Sequence, residues 1–106
     1  MSELHNSPTE TAGDIDDRAV DTLAVAMKKK LAISREKGRA GWNDPTDCSE
    51  HDLVWMMLNH IRKGDITDVA NFTAMIYSRG VSKEVINEVT DIWVRVQMTQ
   101  DLPREI

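Results

Sequence analysis

Three side chains that can bind a metal ion lie close together in the middle of the sequence: His60, Asp65 and Asp68. Asn71 follows Asp68 by three residues, which places both side chains on one face of a helix. Carboxylates gathered where two helices meet can bind a hard cation such as Mg²⁺, which prefers oxygen ligands and bridges to phosphates. This group therefore predicts a Mg²⁺ site next to a phosphate-bearing ligand.

Each of these residues also has a purely structural interpretation. Asp65 can cap the N-terminus of a helix, and Asp68 can lie in the first turn of that helix, where negative charge is favourable. His60 can be an ordinary exposed residue near the C-terminus of the preceding helix. Both interpretations remain open on spacing alone.

The segment from Met27 to Trp42 holds the only concentration of positive charge in the sequence. Six bases stand there against one acid, Glu36. The bases are Lys28, Lys29, Lys30, Arg35, Lys37 and Arg39. A basic cluster followed by a glycine-bearing loop and a tryptophan could bind phosphates while the indole stacks on a base. The alternative is a solvated helix face with Trp42 anchored in the core.

Four amphipathic helices are predicted to position these groups. Apolar residues recur every three or four positions in four segments, and turn residues separate the segments. The helices are expected from about Asp16 to Lys37, from a cap at Asp47 or Ser49 to about Lys63, from a cap at Asp65 to a turn at Gly80, and from a cap at Ser82 to a point before Pro103. Four helices with short loops predict an all-α fold, a small antiparallel four-helix bundle.

The composition favours one domain and excludes several classes of site. A chain of 106 residues has room for one core, and the β-branched runs typical of strands are missing. The single cysteine, Cys48, cannot form an internal disulfide. No glycine-rich phosphate loop, zinc-binding cysteine pair or HExxH motif is present. No segment is apolar enough for a membrane span, so we expect a cytoplasmic protein.

The negative charge is concentrated at the N-terminus. Residues 1–17 contain five acids and neither lysine nor arginine, whereas the remaining acids and bases, 13 of each, cancel. We expect a flexible acidic arm over 1–15, a helical domain over 16–100 and a short tail over 101–106. Because the helical domain is nearly neutral, nucleic acid is a disfavoured partner.

The order of these motifs resembles the MazG-like all-α nucleotide pyrophosphohydrolases found in phages and bacteria. The matching run begins with KKKLAISREKGRAGW, continues through DC and a leucine-spaced helix, and ends with DVANFTAMI. It covers roughly residues 27–77, and its most specific part is DVANF, Asp68 to Phe72. The resemblance implies a phage-type cytoplasmic protein that binds a nucleoside triphosphate or a related nucleotide.

The resemblance also implies roles for individual residues. Asp65 and Asp68 stand at the ExxD step of the family and would be catalytic metal ligands, with His60 beside them. The phosphates would be bound by Lys30, Arg35, Lys37 and Arg39, with Trp42 toward the base and Asn71 nearby. The family's EExxE cluster is missing, because its position reads Leu58, Asn59, His60. This reduced set predicts weak Mg²⁺ binding and weak or absent hydrolysis.

Two other functions remain open. The incomplete carboxylate set favours a non-catalytic protein that binds and modulates a host protein, and the basic segment supports a nucleic-acid-binding accessory domain. The resemblance further implies a homodimer in which two chains complete the bundle. Large apolar side chains that would lie at its interface, or else fill the core, are Trp55, Trp93, Met56, Met57, Met75 and Met98.

Overall fold

The computed structural model describes residues 9–101. It contains four helices, α1 (Ala12–Glu36), α2 (Glu50–Lys63), α3 (Ile66–Ser78) and α4 (Lys83–Asp101). There is no strand between residues 9 and 101, so the predicted all-α fold is confirmed, and the four helices fit a bundle. None of these helices is long and apolar enough to cross a membrane. The predicted acidic arm up to residue 8 and the predicted tail from residue 102 lie outside the described residues.

Helix α1 begins four residues before its predicted start at Asp16. The backbone N–H of Asp14 donates to Thr11 Oγ1 at 3.0 Å, and the backbone N–H of Thr11 donates to the Asp14 carboxylate at 3.1 Å. This reciprocal pair satisfies N–H groups that the start of a helix otherwise leaves without partners. Residues 12–15 therefore belong to α1 and not to the predicted arm.

Helices α2 and α4 begin at their predicted caps. Ser49 Oγ accepts from the backbone N–H of Asp52 at 3.0 Å, and Ser82 Oγ accepts from that of Val85 at 3.2 Å. Helix α2 ends at Gly64, whose φ of 79° lies in the left-handed region. Glycine adopts this conformation without a steric penalty from Cβ, which explains why the helix ends there.

Helix α2 is the centre of the fold. It packs against α3 and α4, while α1 packs against α3. The buried core consists of Leu53 and Val54 from α2, Ile76 from α3 and Val89 from α4. Helix α1 contributes no fully buried residue, so it lies at the edge of the core, with one side open for a pocket.

Most of the large apolar residues assigned to the core or to an interface are half-buried. Those that pack against the core are Trp55, Met56, Met57 and Met75. Trp93 is also half-buried, and its indole N–H donates to Asn59 Oδ1 at 2.8 Å. Met98 is exposed. Core packing therefore accounts for four of the six, and the homodimer stays a prediction.

Candidate functional site

A pocket of about 700 Å³ lies between the C-terminal half of α1, the loop from α1 to α2, and the facing sides of α2 and α3. It brings together the two groups of residues that the sequence predicts to act on a ligand. The predicted site residues that line it are Lys30, Arg35, Arg39, Trp42, His60, Asp68 and Asn71. The basic segment and the metal-binding group therefore share one space, although they are far apart in sequence.

Two predicted site residues do not line this pocket. Lys37 lies at the C-terminal cap of α1 and is exposed, which fits the alternative interpretation of a solvated basic face. Asp65 does not line the pocket, but its Oδ2 lies 3.2 Å from Nδ1 of His60, which does. Lys37 is therefore not placed to bind a ligand in the pocket, whereas Asp65 can act on one through its neighbour.

The junction of α2 and α3 holds His60, Asp65 and Asp68 in one cluster. His60 Nδ1 lies 3.2 Å from Asp65 Oδ2 and 3.5 Å from Asp68 Oδ2. The ligand atoms of the three residues all lie within 4.8 Å of one another. Asp65 occupies the predicted N-cap position of α3, but its side chain makes no capping hydrogen bond to the helix, so its carboxylate faces His60 instead.

The donor atoms of this cluster decide which metal ions it fits. Mg²⁺ demands octahedral coordination by oxygen and is usually held by carboxylates, waters and substrate phosphates. The cluster offers two carboxylates and one imidazole nitrogen, and imidazole is better suited to ions such as Zn²⁺. These residues would therefore hold an ion that accepts mixed nitrogen and oxygen ligands, and would hold Mg²⁺ weakly.

Lys30 already provides positive charge at this cluster. Its Nζ donates to Asp68 Oδ2 at 2.9 Å. This hydrogen bond raises the pKa of Lys30, with help from the charges of Asp68 and Asp65 and against the effect of desolvation. The ammonium group stays protonated at neutral pH, and a metal ion bound by the same carboxylate would have to compete with it.

Aromatic side chains form part of the wall. The ring of Phe72 stacks on the imidazole of His60, with centroids 5.2 Å apart and an angle of 27° between the planes. This contact restrains the orientation of the imidazole. Trp42 is half-buried, packs against the core and also lines the pocket. The core-anchor interpretation of Trp42 therefore fits the structure, and its presence in the pocket wall leaves a ligand contact open as well.

Asn71 is the buried polar residue of α3, with a relative exposure of 4%. Its Nδ2 donates to the backbone carbonyl of Met27 at 3.3 Å and so links α3 to α1. Its Oδ1 is buried and has no hydrogen-bond partner within residues 9–101. Buried acceptors normally receive a hydrogen bond, so Oδ1 is an acceptor to which a ligand could donate one.

The loop between α1 and α2 is held by contacts that fix its shape. Asp44 Oδ1 accepts from the backbone N–H of Thr46 at 2.9 Å and from its hydroxyl at 2.8 Å, and these bonds lower the pKa of Asp44. Gly41 has a φ of 95°, and a Cβ there would lie 2.9 Å from Asp47 Oδ2. The loop therefore requires glycine at position 41.

Arg79 also holds this loop, a role that nothing in the sequence indicates. Its Nη1 donates to the carbonyl of Trp42 at 2.9 Å and to that of Cys48 at 2.6 Å. Arg79 follows the last turn of α3, where a cation is expected simply because of the helix dipole. Its link to a distant loop depends on the packing of α3 beside that loop.

Cys48 is part of the pocket wall, and its surroundings disfavour the nucleophilic thiolate form. Burial raises the pKa of its thiol, and the charge of Asp52 acts in the same direction. At neutral pH the group is therefore the unreactive thiol form. His51, three residues further on, lies 3.9 Å from Glu88 on α4.

Comparisons with family models, with curated proteins and with solved structures found no match to this chain. Three features distinguish the pocket and its surroundings: basic side chains at one side, the cluster of His60, Asp65 and Asp68, and the buried acceptor of Asn71.

Proposed function

We propose that the pocket binds a nucleotide, with its phosphates toward the basic residues. The observation that supports this most is that three cations, Lys30, Arg35 and Arg39, line the same pocket as the indole of Trp42. A nucleotide combines an anion with a flat, partly apolar base, so it needs both kinds of wall. A volume of about 700 Å³ is within the usual range for small-molecule sites.

The basic residues differ in what they can do for a phosphate. Arg35 and Arg39 present planar guanidinium groups, which can bind two phosphate oxygens at once. Lys30 is a point charge already bonded to Asp68, so it sits between the phosphate side of the pocket and the acidic cluster. Trp42 is the aromatic residue left to face a base, because Phe72 already stacks on His60.

Any hydrolysis by this pocket is proposed to be weak or absent. His60, Asp65 and Asp68 would hold a divalent ion beside the phosphates, and a bound ion would polarise a phosphoryl oxygen. Among residues 9–101, this cluster supplies two carboxylates beside His60, fewer than the MazG-like pattern requires. We therefore propose a phage-type MazG-like protein that binds nucleoside triphosphates, cytoplasmic and with reduced pyrophosphohydrolase activity.

The proposal can be tested by removing two charges inside the pocket and two outside it. The double variant Arg35→Gln and Arg39→Gln removes the guanidinium groups, and the control Lys28→Gln and Lys29→Gln changes the net charge equally at exposed positions. Isothermal titration with nucleoside triphosphates, with and without Mg²⁺ or Mn²⁺, measures the Kd. We expect a loss of about tenfold or more for the pocket variant, because bonds to charged groups contribute roughly 1.5–3 kcal/mol each.

The control should stay within about twofold of the unmodified protein, since exposed charges act weakly through solvent. Equal losses in both variants would mean that the nucleotide responds to general charge and not to the pocket. No binding of any triphosphate by the unmodified protein would contradict the proposal.

A second candidate function, a non-catalytic protein that binds a host protein, is favoured by exposed apolar side chains. Val20 and Val25 on α1 are 67% and 69% exposed, and Tyr77 on α3 is 86% exposed. Exposed apolar surface of this kind is often used in protein contacts. This candidate predicts that substitutions at Val20 or Val25 abolish partner binding and leave the pocket intact.

A further inference from the structure

We propose that Asn71 Oδ1 is the specificity-determining acceptor of the pocket, and that it selects nucleotides which present a neutral hydrogen-bond donor to it. This inference rests on the proposed nucleotide-binding function and names the class of ligand within it. The donor would be an exocyclic amino group of the base, as in adenine and cytosine, or a hydroxyl of the sugar. The first supporting observation is that Asn71 lines the pocket and its Oδ1 has no partner among the described residues.

The orientation of the Asn71 amide follows from its contact with α1. The atom 3.3 Å from the amide nitrogen is the backbone carbonyl oxygen of Met27, which can only accept a hydrogen bond. Turning the amide over would place two acceptors against each other. The NH₂ group therefore faces Met27, and the oxygen is the end of the amide that remains for a ligand.

The position of Asn71 along α3 suits the sugar or base of a bound nucleotide. Asp68, which is bonded to Lys30, lies one turn earlier on the same helix, and both residues line the pocket. Their spacing of three residues corresponds to a rise of about 4.5 Å along the helix axis. With the phosphates near Lys30, Asn71 would meet an adjoining part of the same ligand.

Chemical discrimination follows from the fact that Oδ1 can only accept. An amino group on adenine or cytosine would satisfy it, whereas the carbonyl at the equivalent position of hypoxanthine or uracil would be repelled. Sites that hydrogen-bond one group of a substrate discriminate strongly against analogues that lack it, because the buried group is then left unpaired. A purely structural role for Asn71, as a link between α1 and α3, predicts no such discrimination.

The test compares matched nucleotides on the full chain by isothermal titration. The pairs are ATP with ITP and CTP with UTP, and each preferred nucleotide is also compared with its 2′-deoxy and 3′-deoxy forms. We expect one donor-bearing member to bind about tenfold or more tightly, in line with the loss of one buried hydrogen bond. The base pairs and the sugar series show which donor Asn71 meets.

Variants then assign the preference to Asn71. Asn71→Leu has a similar volume and no polar atoms, and it should reduce the preference to within about twofold. Asn87→Leu, at an exposed position on α4 outside the pocket, should retain it. If circular dichroism shows that Asn71→Leu has lost its helices, Asn71→Ala removes the same acceptor with less risk of overpacking.

Two results would overturn the inference while leaving nucleotide binding intact: equal affinity for all members of every pair and series, or a preference that persists without Asn71. If no nucleotide binds in any comparison, the proposed function itself is wrong. The two failures are therefore distinguishable in one set of titrations.

Discussion

One oxygen atom, Asp68 Oδ2, connects the basic segment to the acidic cluster. Lys30 Nζ lies 2.9 Å from it and His60 Nδ1 lies 3.5 Å from it. Because the hydrogen bond to Asp68 raises the pKa of Lys30 above its ordinary value of 10.5, the pair stabilises the fold fully at neutral pH. The contribution of the lysine is lost as the pH rises above 10.5 and through the higher pKa of the folded state. Lys30 is therefore charged at physiological pH, and a metal ion bound by Asp68 would have to compete with it.

Replacing Lys30 by methionine should strengthen metal binding by the cluster. Lys30→Met keeps most of the side-chain length but removes the ammonium that competes for Asp68. We expect the affinity for Mn²⁺ or Zn²⁺ to rise by about threefold to tenfold, a modest gain because the pair is partly exposed to solvent. Isothermal titration of the protein with each metal alone, without nucleotide, measures the effect.

Lys29→Met is the matched control, because Lys29 is exposed on the same helix and does not line the pocket. It should change the metal affinity much less than Lys30→Met. Unchanged or weaker metal binding in Lys30→Met would show that Lys30 does not compete at this site, and that the cluster of three residues does not bind a metal through Asp68.

At the scale of elements, the loop between α1 and α2 shapes the mouth of the pocket. It contributes Arg39 and Trp42 to the lining, and Arg79, just after α3, holds its backbone through two carbonyls. Gly41 lies between those two lining residues. Its backbone conformation therefore decides where both side chains point.

Gly41→Ala should destabilise the fold by about 1–2 kcal/mol, since a non-glycine residue at positive φ costs about that much. Gly38→Ala is the control, because Gly38 has a similar φ of 84° but nothing within 4 Å of an added Cβ, whereas a Cβ at Gly41 would meet Asp47 Oδ2 at 2.9 Å. The difference between the two variants in urea unfolding isolates the effect of the contact with Asp47. Equal destabilisation would mean that Asp47 moves aside without cost.

The elements themselves could largely be predicted from sequence because their signals are local. Ser49, Ser82 and Gly64 mark helix ends through contacts within a few residues, and the structure places them there. The start of α1 could also be predicted, since Thr11 and Asp14 have the spacing of a capping box. The acids around them, however, have the composition of a flexible arm.

The site was only partly predictable, because its geometry depends on contacts between residues that are far apart in the sequence. Residue types indicated which side chains could bind phosphate or metal, but which of them share a pocket depends on how α1 packs on α3. Lys37 is exposed outside the pocket, while Lys30, seven residues earlier, reaches Asp68. The unpartnered oxygen of Asn71 likewise follows from a contact with Met27 that is distant in sequence.

At the scale of the whole molecule, α1 is only partly covered by the other helices of the chain. It is 25 residues long and has no fully buried residue. Its large apolar side chains with substantial exposure are Ile15, Val20, Val25 and Ile33. Single exposed apolar residues are ordinary, but these four point to different sides of one helix, which favours a helix that neighbours cover on more than one side in an assembly.

We therefore expect a homodimer that buries α1. Analytical ultracentrifugation at micromolar concentration should give twice the chain mass of 12.0 kDa. Val20→Asp with Val25→Asp should shift the protein to a monomer, because a charge buried at an interface is strongly unfavourable. Val94→Asp makes the same change at another exposed apolar position, on α4, and should leave the dimer intact. A monomer for the unmodified chain would contradict the prediction, and dissociation by Val94→Asp alone would contradict an interface on α1.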